Sequence, residues 1–283
     1  MGLFLVTCAG MSGSKWLAAA LDGHPDIRCS HSASLLRQYA EPYSPAQLKE
    51  ILAAERQQFS GEVPLAEVFA RISDGQESRL VGNVHAYRLS RLEEALGSES
   101  STPPFRLANL VRHPVTLVSS RAAFFASMCA GDARVRWMVL DSCYRNQEWL
   151  QPLIDRHGLD LSDWDVACYF DAIVGLGRLA SEVAAAPHVP HVRMEDLVVD
   201  PSAIRGLIAY LSSGRMEISP AVAEDLIAAP PLNSHRGRGP ESASRHYQGL
   251  PDWQREVLRV GLERSNIHHV YGMLGYDFDF VDV

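Results

Sequence analysis

An apolar run, a glycine-rich turn and an immediate helix fill the first twenty-odd residues, Gly2-LFLVTCAGMSGSKWLAAAL-Asp22, and constrain the fold more than any other stretch. Leu3 to Val6 has the unbroken apolar character of a strand covered on both faces, and Cys8 and Ala9 are small enough for a sharp turn. Gly10, Ser12, Gly13 and Ser14 supply permissive backbone angles and hydroxyls where a helix over Trp16 to Leu21 begins. Such a turn aims backbone N–H groups and the positive end of a helix dipole at one point, so it predicts an anion of phosphate or sulfate size there. Lys15 fits that reading, because a cation in a first helical turn opposes the dipole unless it faces an anion. It is one of two lysines in the chain, the other being Lys49.

Further strands are predicted at Leu80 to His85, at Arg106-LANLVRHP and, briefly, at Val189-PHVRM. Between and after them lie helical patterns. Ser44 and Pro45 open one helix that runs to Phe59, Leu65 to Ile72 forms another, and a third lies around Leu89 to Leu96. Pro114 opens a helix towards Met128, and Asp132 to Ala186 is mostly helical with a break near Gly158 and Asp160. Helices follow at Ser202 to Leu211, Ala221 to Ala228 and Pro251 to Arg264, with a loop over Asn233-SHRGRGPESASRHYQG. Gly23-HPDIRCSHS closes the first helix and receives no element of its own. Strands separated by helices require crossover connections, hence an α/β fold with a mainly parallel sheet covered on both faces, three layers in all. No internal repeat or domain boundary is visible, and one domain over residues 1–283 is expected.

With 26 basic and 34 acidic residues the chain carries a formal charge of −8, which argues against a general nucleic-acid or anionic-membrane binder. Its five cysteines are odd in number and lack CxxC spacing, so reduced thiols and a cytoplasmic protein are expected. No basic residue precedes Leu3 to Met11 and Lys15 follows soon after, unlike a signal peptide, while Val6 removes the hydroxyl of a myristoylation signal. No stretch approaches ~20 uninterrupted apolar residues, so no membrane span is expected.

Three motifs in order resemble the sulfotransferases that use 3′-phosphoadenosine 5′-phosphosulfate (PAPS). Gly10-MSGSKW is similar to their 5′-phosphosulfate loop, Leu110-VRHPVTLVSSR to their 3′-phosphate motif, and Val192-RMEDLVVDP to their Tyr-Glu-Asp-Leu stretch before a helix. Arginine at a strand end offers a planar fork of donors for a phosphate, and a serine eight residues on adds a hydroxyl. The resemblance covers most of the chain and implies a P-loop-like sulfotransferase fold. It implies PAPS as donor without a metal, and a small-molecule acceptor with a hydroxyl or, less readily, an amine. It places Gly10, Met11, Ser12, Gly13, Ser14, Lys15 and Trp16 at the 5′ end of the donor, Trp16 against the adenine, and Arg112 and Ser120 at the 3′-phosphate. Arg236 and Arg238 loosely echo a late basic motif of the family over that phosphate. His85 occupies the place of the family's general base, with Lys15 as a second catalytic group. The acceptor pocket would fall to Ser32 to Phe59 and Ala130 to Trp164. Oligomeric state, monomer or homodimer, is open.

The chain also departs from the family pattern. Met11 stands where a basic residue is usual, Asn83 where lysine is common, and Met194 replaces the tyrosine. These departures motivate a second reading, a PAPS-fold binding protein without transferase activity. A nucleotide kinase or hydrolase would also use a strand-loop-helix anion site, but the order GxxxxGK[ST] is absent. A serine hydrolase is suggested by Gly10-Met-Ser12-Gly13, with the second glycine of GxSxG misplaced. Two further groups have simpler explanations. His24, Cys29 and His31 match no common metal-site spacing, and Trp137, Trp149 and Trp164 suit the core of amphipathic helices.

Overall fold

The structure is a computed structural model and describes residues 2–31, 79–92, 105–228 and 242–281. Along the chain run β1 (Gly2–Cys8), α1 (Ser14–Asp22), β2 (Ile27–Ser30), β3 (Leu80–His85), β4 (Phe105–Val111), α2 (Pro114–Cys129), α3 (Ala133–Arg145), α4 (Gln147–His157), α5 (Trp164–Val174) and α6 (Leu176–Ala185). Then come β5 (His191–Arg193), α7 (Met194–Leu197), α8 (Pro201–Leu211), α9 (Pro220–Ile227), α10 (Ala243–Gln248), α11 (Asp252–Ser265), α12 (Ile267–Gly272) and a 3-10 turn at Asp279–Val281. The helices expected over Ser44 to Phe59 and Leu65 to Ile72 lie outside the described residues, as do Arg236 and Arg238.

The five strands form one sheet in the order β2-β3-β1-β4-β5, and every pairing is parallel. This is the predicted α/β class, a parallel sheet flanked by helices. With β1 in the middle, its carboxyl end lies where successive crossovers depart to opposite sides, the usual place for a ligand in an open parallel sheet. The apolar run of β1 is buried from Leu3 to Cys8, as a central strand must be.

Strand β2 is a correction to the sequence reading. It alternates buried Ile27 and Cys29 with exposed Arg28 and Ser30, a four-residue edge strand too short to stand out beside a helix end. Asp22, the last residue of α1, fixes it: its Oδ1 accepts from Cys29 N at 2.9 Å, and its Oδ2 lies 3.5 Å from Arg28 Nη1. A second correction concerns Ala243–Gln248, which is helical although the sequence there reads as loop; Ser242 caps it by accepting from Arg245 N at 3.3 Å.

The chain divides into two compact units, residues 1–111 with 185–237 and residues 112–184 with 238–283. In the first, Leu17 and Leu21 of α1, Ile204 and Ile208 of α8 and Ala223 of α9 pack with Phe4 and Val6 in one core, each fully buried. Burying one such leucine, isoleucine or phenylalanine contributes about 1.5–3 kcal/mol. In the second unit, His113 caps α2 by accepting from Val115 N at 3.2 Å through Nδ1, while its Nε2–H donates to Asp277 O at 2.9 Å. The rings of Tyr276, Phe278 and Phe280 surround that imidazole, which ties the end of the chain to the helix start. All five cysteines are buried and none is in a disulfide. Among the described residues no helix is long and apolar enough to cross a membrane.

Candidate active site

The turn after β1 has the backbone of an anion cradle. Gly10, Met11 and Gly13 have φ of 72°, 55° and 85°. Gly13, left-handed, precedes Ser14 at the helix start, and such an alternation turns consecutive N–H groups to one side. Helix α1 starts with no side chain capping it and no acidic residue in its first turn, so its positive end is uncompensated by its own sequence. Ser12 is fully buried and braces the turn through Oγ to Gly10 O at 3.3 Å. Met11 is a β-carbon residue in the left-handed region, a conformation that costs roughly 1–2 kcal/mol.

Gly13 also lies close to a neighbouring side chain. A Cβ there would lie 2.6 Å from Met194 Sδ and nearer still to its Cε. Met194 thus seats its thioether against the loop, and α7, which carries it, leads through Asp200 into α8. Lys15 is exposed beside this loop, whereas Trp16 is 5% exposed and belongs to the core of the first unit, with little surface left for a nucleotide base.

Parallel register then brings residues far apart in sequence to the carboxyl ends of β2 and β3. Ser30 pairs with Asn83 across the two strands, so the residues that follow each of them share the same edge of the sheet. His31 Nε2 lies 3.0 Å from Ser14 Oγ and 3.3 Å from His85 Nδ1, and the two imidazole rings meet edge to face at 4.6 Å between centroids. Burial depresses the pKa of His31, and the Lys15 ammonium depresses it further. The pair therefore adjoins the loop through Ser14.

Asn83 has a structural task. It is 2% exposed, accepts a hydrogen bond from the Tyr87 hydroxyl and donates through Nδ2 to Ser30 Oγ at 2.7 Å. Thr7 Oγ1 donates to Tyr87 O at 2.6 Å, completing a chain of polar contacts from β1 across β3 to β2 beneath the histidines. Burial pushes the Tyr87 phenol well up, so it stays a donor. A lysine at 83 would bury a charge in that row, whose described members, Tyr87, Ser30 and Thr7, include no carboxylate.

The second motif falls in the other unit. Arg112 follows the last residue of β4, and its Nε donates to Thr116 Oγ1 at 3.1 Å; Thr116 and Ser120 lie four residues apart on α2 and so share a face. The neighbouring Ser119 Oγ lies 2.8 Å from His246 Nε2. Thr116 escaped the sequence reading, although its place halfway between Arg112 and Ser120 is a helical signal. His31 escaped as well, weighed only as a metal ligand, because nothing in the sequence announces β2. Trp137 is a further correction: it is 60% exposed, not core, while Trp149 lies under the Arg264 guanidinium at 5.0 Å.

No protein-family model matches the sequence, and no curated protein does. Among solved structures, a sulfotransferase from Alicyclobacillus acidocaldarius is similar over 100% of this chain and 99% of its own, with 15% identity and a TM-score of 0.51. The sulfotransferase domain from the curacin biosynthetic pathway aligns over 98% of each chain with 12% identity and a TM-score of 0.43. The first of these likenesses joins the order of the strands and the motifs in the sequence to one conclusion, that the chain has the α/β fold of sulfotransferases.

Proposed function

We propose that the protein is a PAPS-dependent sulfotransferase that moves a sulfuryl group to a hydroxyl of a small-molecule acceptor, with His85 as general base. The observation that carries the reading is the loop at the end of the central strand, an uncapped helix start with left-handed turns on which an imidazole pair abuts. The donor fits this loop: its backbone N–H groups and the dipole of α1 favour a doubly anionic group, and no acidic side chain stands in the first turn of the helix. PAPS supplies the sulfuryl group and leaves as 3′-phosphoadenosine 5′-phosphate.

The chain's own residues do the rest. Gly10 to Ser14 hold the 5′ end, and Lys15 adds the charge that Met11 lacks. Arg112 and Ser120 are assigned to the 3′-phosphate on the strength of their motif, with Arg236 or Arg238 as further candidates. His85 takes the proton of the acceptor hydroxyl, which leaves the oxygen free to bond to sulfur. Holding donor and acceptor in line, with fixed dipoles at the leaving oxygen, provides the remaining acceleration.

Thermal unfolding with 3′-phosphoadenosine 5′-phosphate against ATP tests the donor. At about 100 times its dissociation constant the bisphosphate should add ~2.7 kcal/mol, and ATP much less. No shift with the bisphosphate, or an equal one with ATP, overturns the reading in favour of a kinase-like site. Because Asn83 is committed to Tyr87 and Ser30, that position supplies no cation, and this keeps a second reading in play: a nucleotide-binding protein without turnover. Release of the bisphosphate from PAPS across a panel of hydroxylated acceptors separates the two. His85→Ala should keep the stabilisation and lose transfer.

A further inference from the structure

The fold delivers two histidines to the candidate site where the sequence motifs supply one. His31 Nε2 faces both the Ser14 hydroxyl and His85 Nδ1, at 3.0 and 3.3 Å. At such a distance one proton belongs between the two ring nitrogens, and whichever ring owns it decides the chemistry of the other. If His31 Nε2 carried it, His85 would hold its own proton on Nε2 and have no basic lone pair there. If His85 Nδ1 carries it, the lone pair of His85 sits on Nε2, the far side of the ring from His31.

We infer that His31 is a positioning residue for His85, its bare Nε2 accepting a hydrogen bond from His85 Nδ1–H and thereby fixing the tautomer in which His85 presents a basic Nε2. This deepens the reading of His85 as general base and rests on it.

Two observations favour this direction of the bond. Ser14 Oγ is a hydroxyl at the start of α1 and can turn its proton to the same bare nitrogen, so its contact is compatible with a His31 Nε2 that accepts from both sides. Finally, burial and the Lys15 ammonium on α1 both act against a charged His31 ring, and the described ring that meets it from the end of β3 is another imidazole, His85, not a carboxylate. A neutral ring with its proton on Nδ1 has only an acceptor left at Nε2. The arrangement is that of a base oriented by a third group, with an imidazole where a carboxylate is the common choice.

Ser14 gives the pair a link to the loop. Its hydroxyl lies on the residue whose N–H opens the helix, so the group that touches His31 is part of the anion cradle itself.

The experiment is a two-bond proton–nitrogen correlation on protein labelled with nitrogen-15 in histidine, recorded without any ligand. His31→Gln and His85→Gln assign the two rings by loss of signal. In the wild type both His85 and His31 should be Nδ1–H tautomers. In His31→Ala the His85 signals should move towards the Nε2–H form, and in His31→Gln, whose amide oxygen can accept the same bond, they should return. An Nε2–H His85 in the wild type, or one unmoved by His31→Ala, overturns the inference. In transfer assays His31→Ala should lower kcat by about 10–100-fold, a share of what a positioned base contributes, with the KM for PAPS within about twofold and recovery in His31→Gln. Loss as deep as in His85→Ala with no tautomer change would make His31 itself the base and sink the positioning role. The outcomes separate cleanly from the donor test: absence of stabilisation by the bisphosphate removes the sulfotransferase reading, whereas the nitrogen shifts report on the imidazole pair in either case.

Discussion

The two units place polar groups in opposite ways. At the strand ends of the first, histidines, serines and backbone N–H groups gather half-open to solvent around a loop whose helix start has no cap. In the second, Arg121 of α2 and Asp171 of α5 are buried inside the helical packing, at 11% and 8% side-chain exposure, with Nε and Oδ2 4.0 Å apart and the guanidinium over the Phe125 ring at 5.2 Å. A group that must meet a ligand keeps its hydrogen-bonding capacity near the surface. One that sits in a core must have its charge answered from within, and removing either partner strands the other. Asp171→Ala should therefore cost about 3–5 kcal/mol in urea unfolding, and the double replacement Arg121→Met, Asp171→Leu distinctly less than the sum of the single changes. Additive costs would show that the pair is not coupled and remove one side of the contrast.

A smaller loss is expected where the first unit is tightest. Gly13→Ala meets both a φ of 85° and the Met194 thioether, so it should destabilise by about 1–3 kcal/mol and abolish stabilisation by the bisphosphate. Adding Met194→Ala relieves the steric part and leaves the backbone part. If the double variant regains wild-type stability, conformation at Gly13 is irrelevant and the loop is held by packing alone.

How much of this was readable beforehand follows from which forces were local. The β1-loop-α1 stretch was legible because apolar run, glycines and helix start are consecutive in sequence, and Leu80–His85 because its apolar run has clear ends. Pro114 was legible as a helix opener, and α2 starts there, whereas Arg112 and Ser120 were singled out by the resemblance of Leu110-VRHPVTLVSSR to a 3′-phosphate motif. What escaped depends on register between distant strands. His31 meets His85 across 54 residues, and Asn83 meets Ser30 across 53, because β2 pairs in parallel with β3; a four-residue strand gives no sequence signal strong enough to predict that. The exposure of Trp137 was likewise hidden, since the periodicity of α3 fixes a buried stripe of Val135, Val139 and Cys143 but a large aromatic can sit beside it.

Acid should separate the units most gently of all, and the sign follows from which form each native group excludes. In the first unit, burial holds His31 and His191 below the usual histidine range; Lys15 adds to this at His31, while at His191 the Ala186 carbonyl works partly against it. The unfolded chain takes up a proton at these rings near the ordinary value of about 6.5, before the native chain does, so their contribution is fully present above that pH and is lost as pH falls towards the depressed native values. In the second unit, burial alone would push Glu256 up, but His157 and Arg156 together hold it below the usual carboxylate range, so its contribution is lost only below about pH 4.3. Asp160 and Asp200, one in each unit, are both held low by hydrogen bonds from the serine two residues on and do not discriminate. Hydrogen exchange read by mass spectrometry, corrected for the intrinsic pH dependence of exchange, should thus show peptides of β1 to β3 starting to lose protection as pH falls below about 6.5, while α4 and α11 hold until below about 4.3. Simultaneous loss in both sets would mean that the units open as one cooperative block, with the histidines setting the acid limit for the whole chain; Lys15→Gln, by letting the His31 pKa rise, should then shift that limit everywhere rather than in the first unit alone.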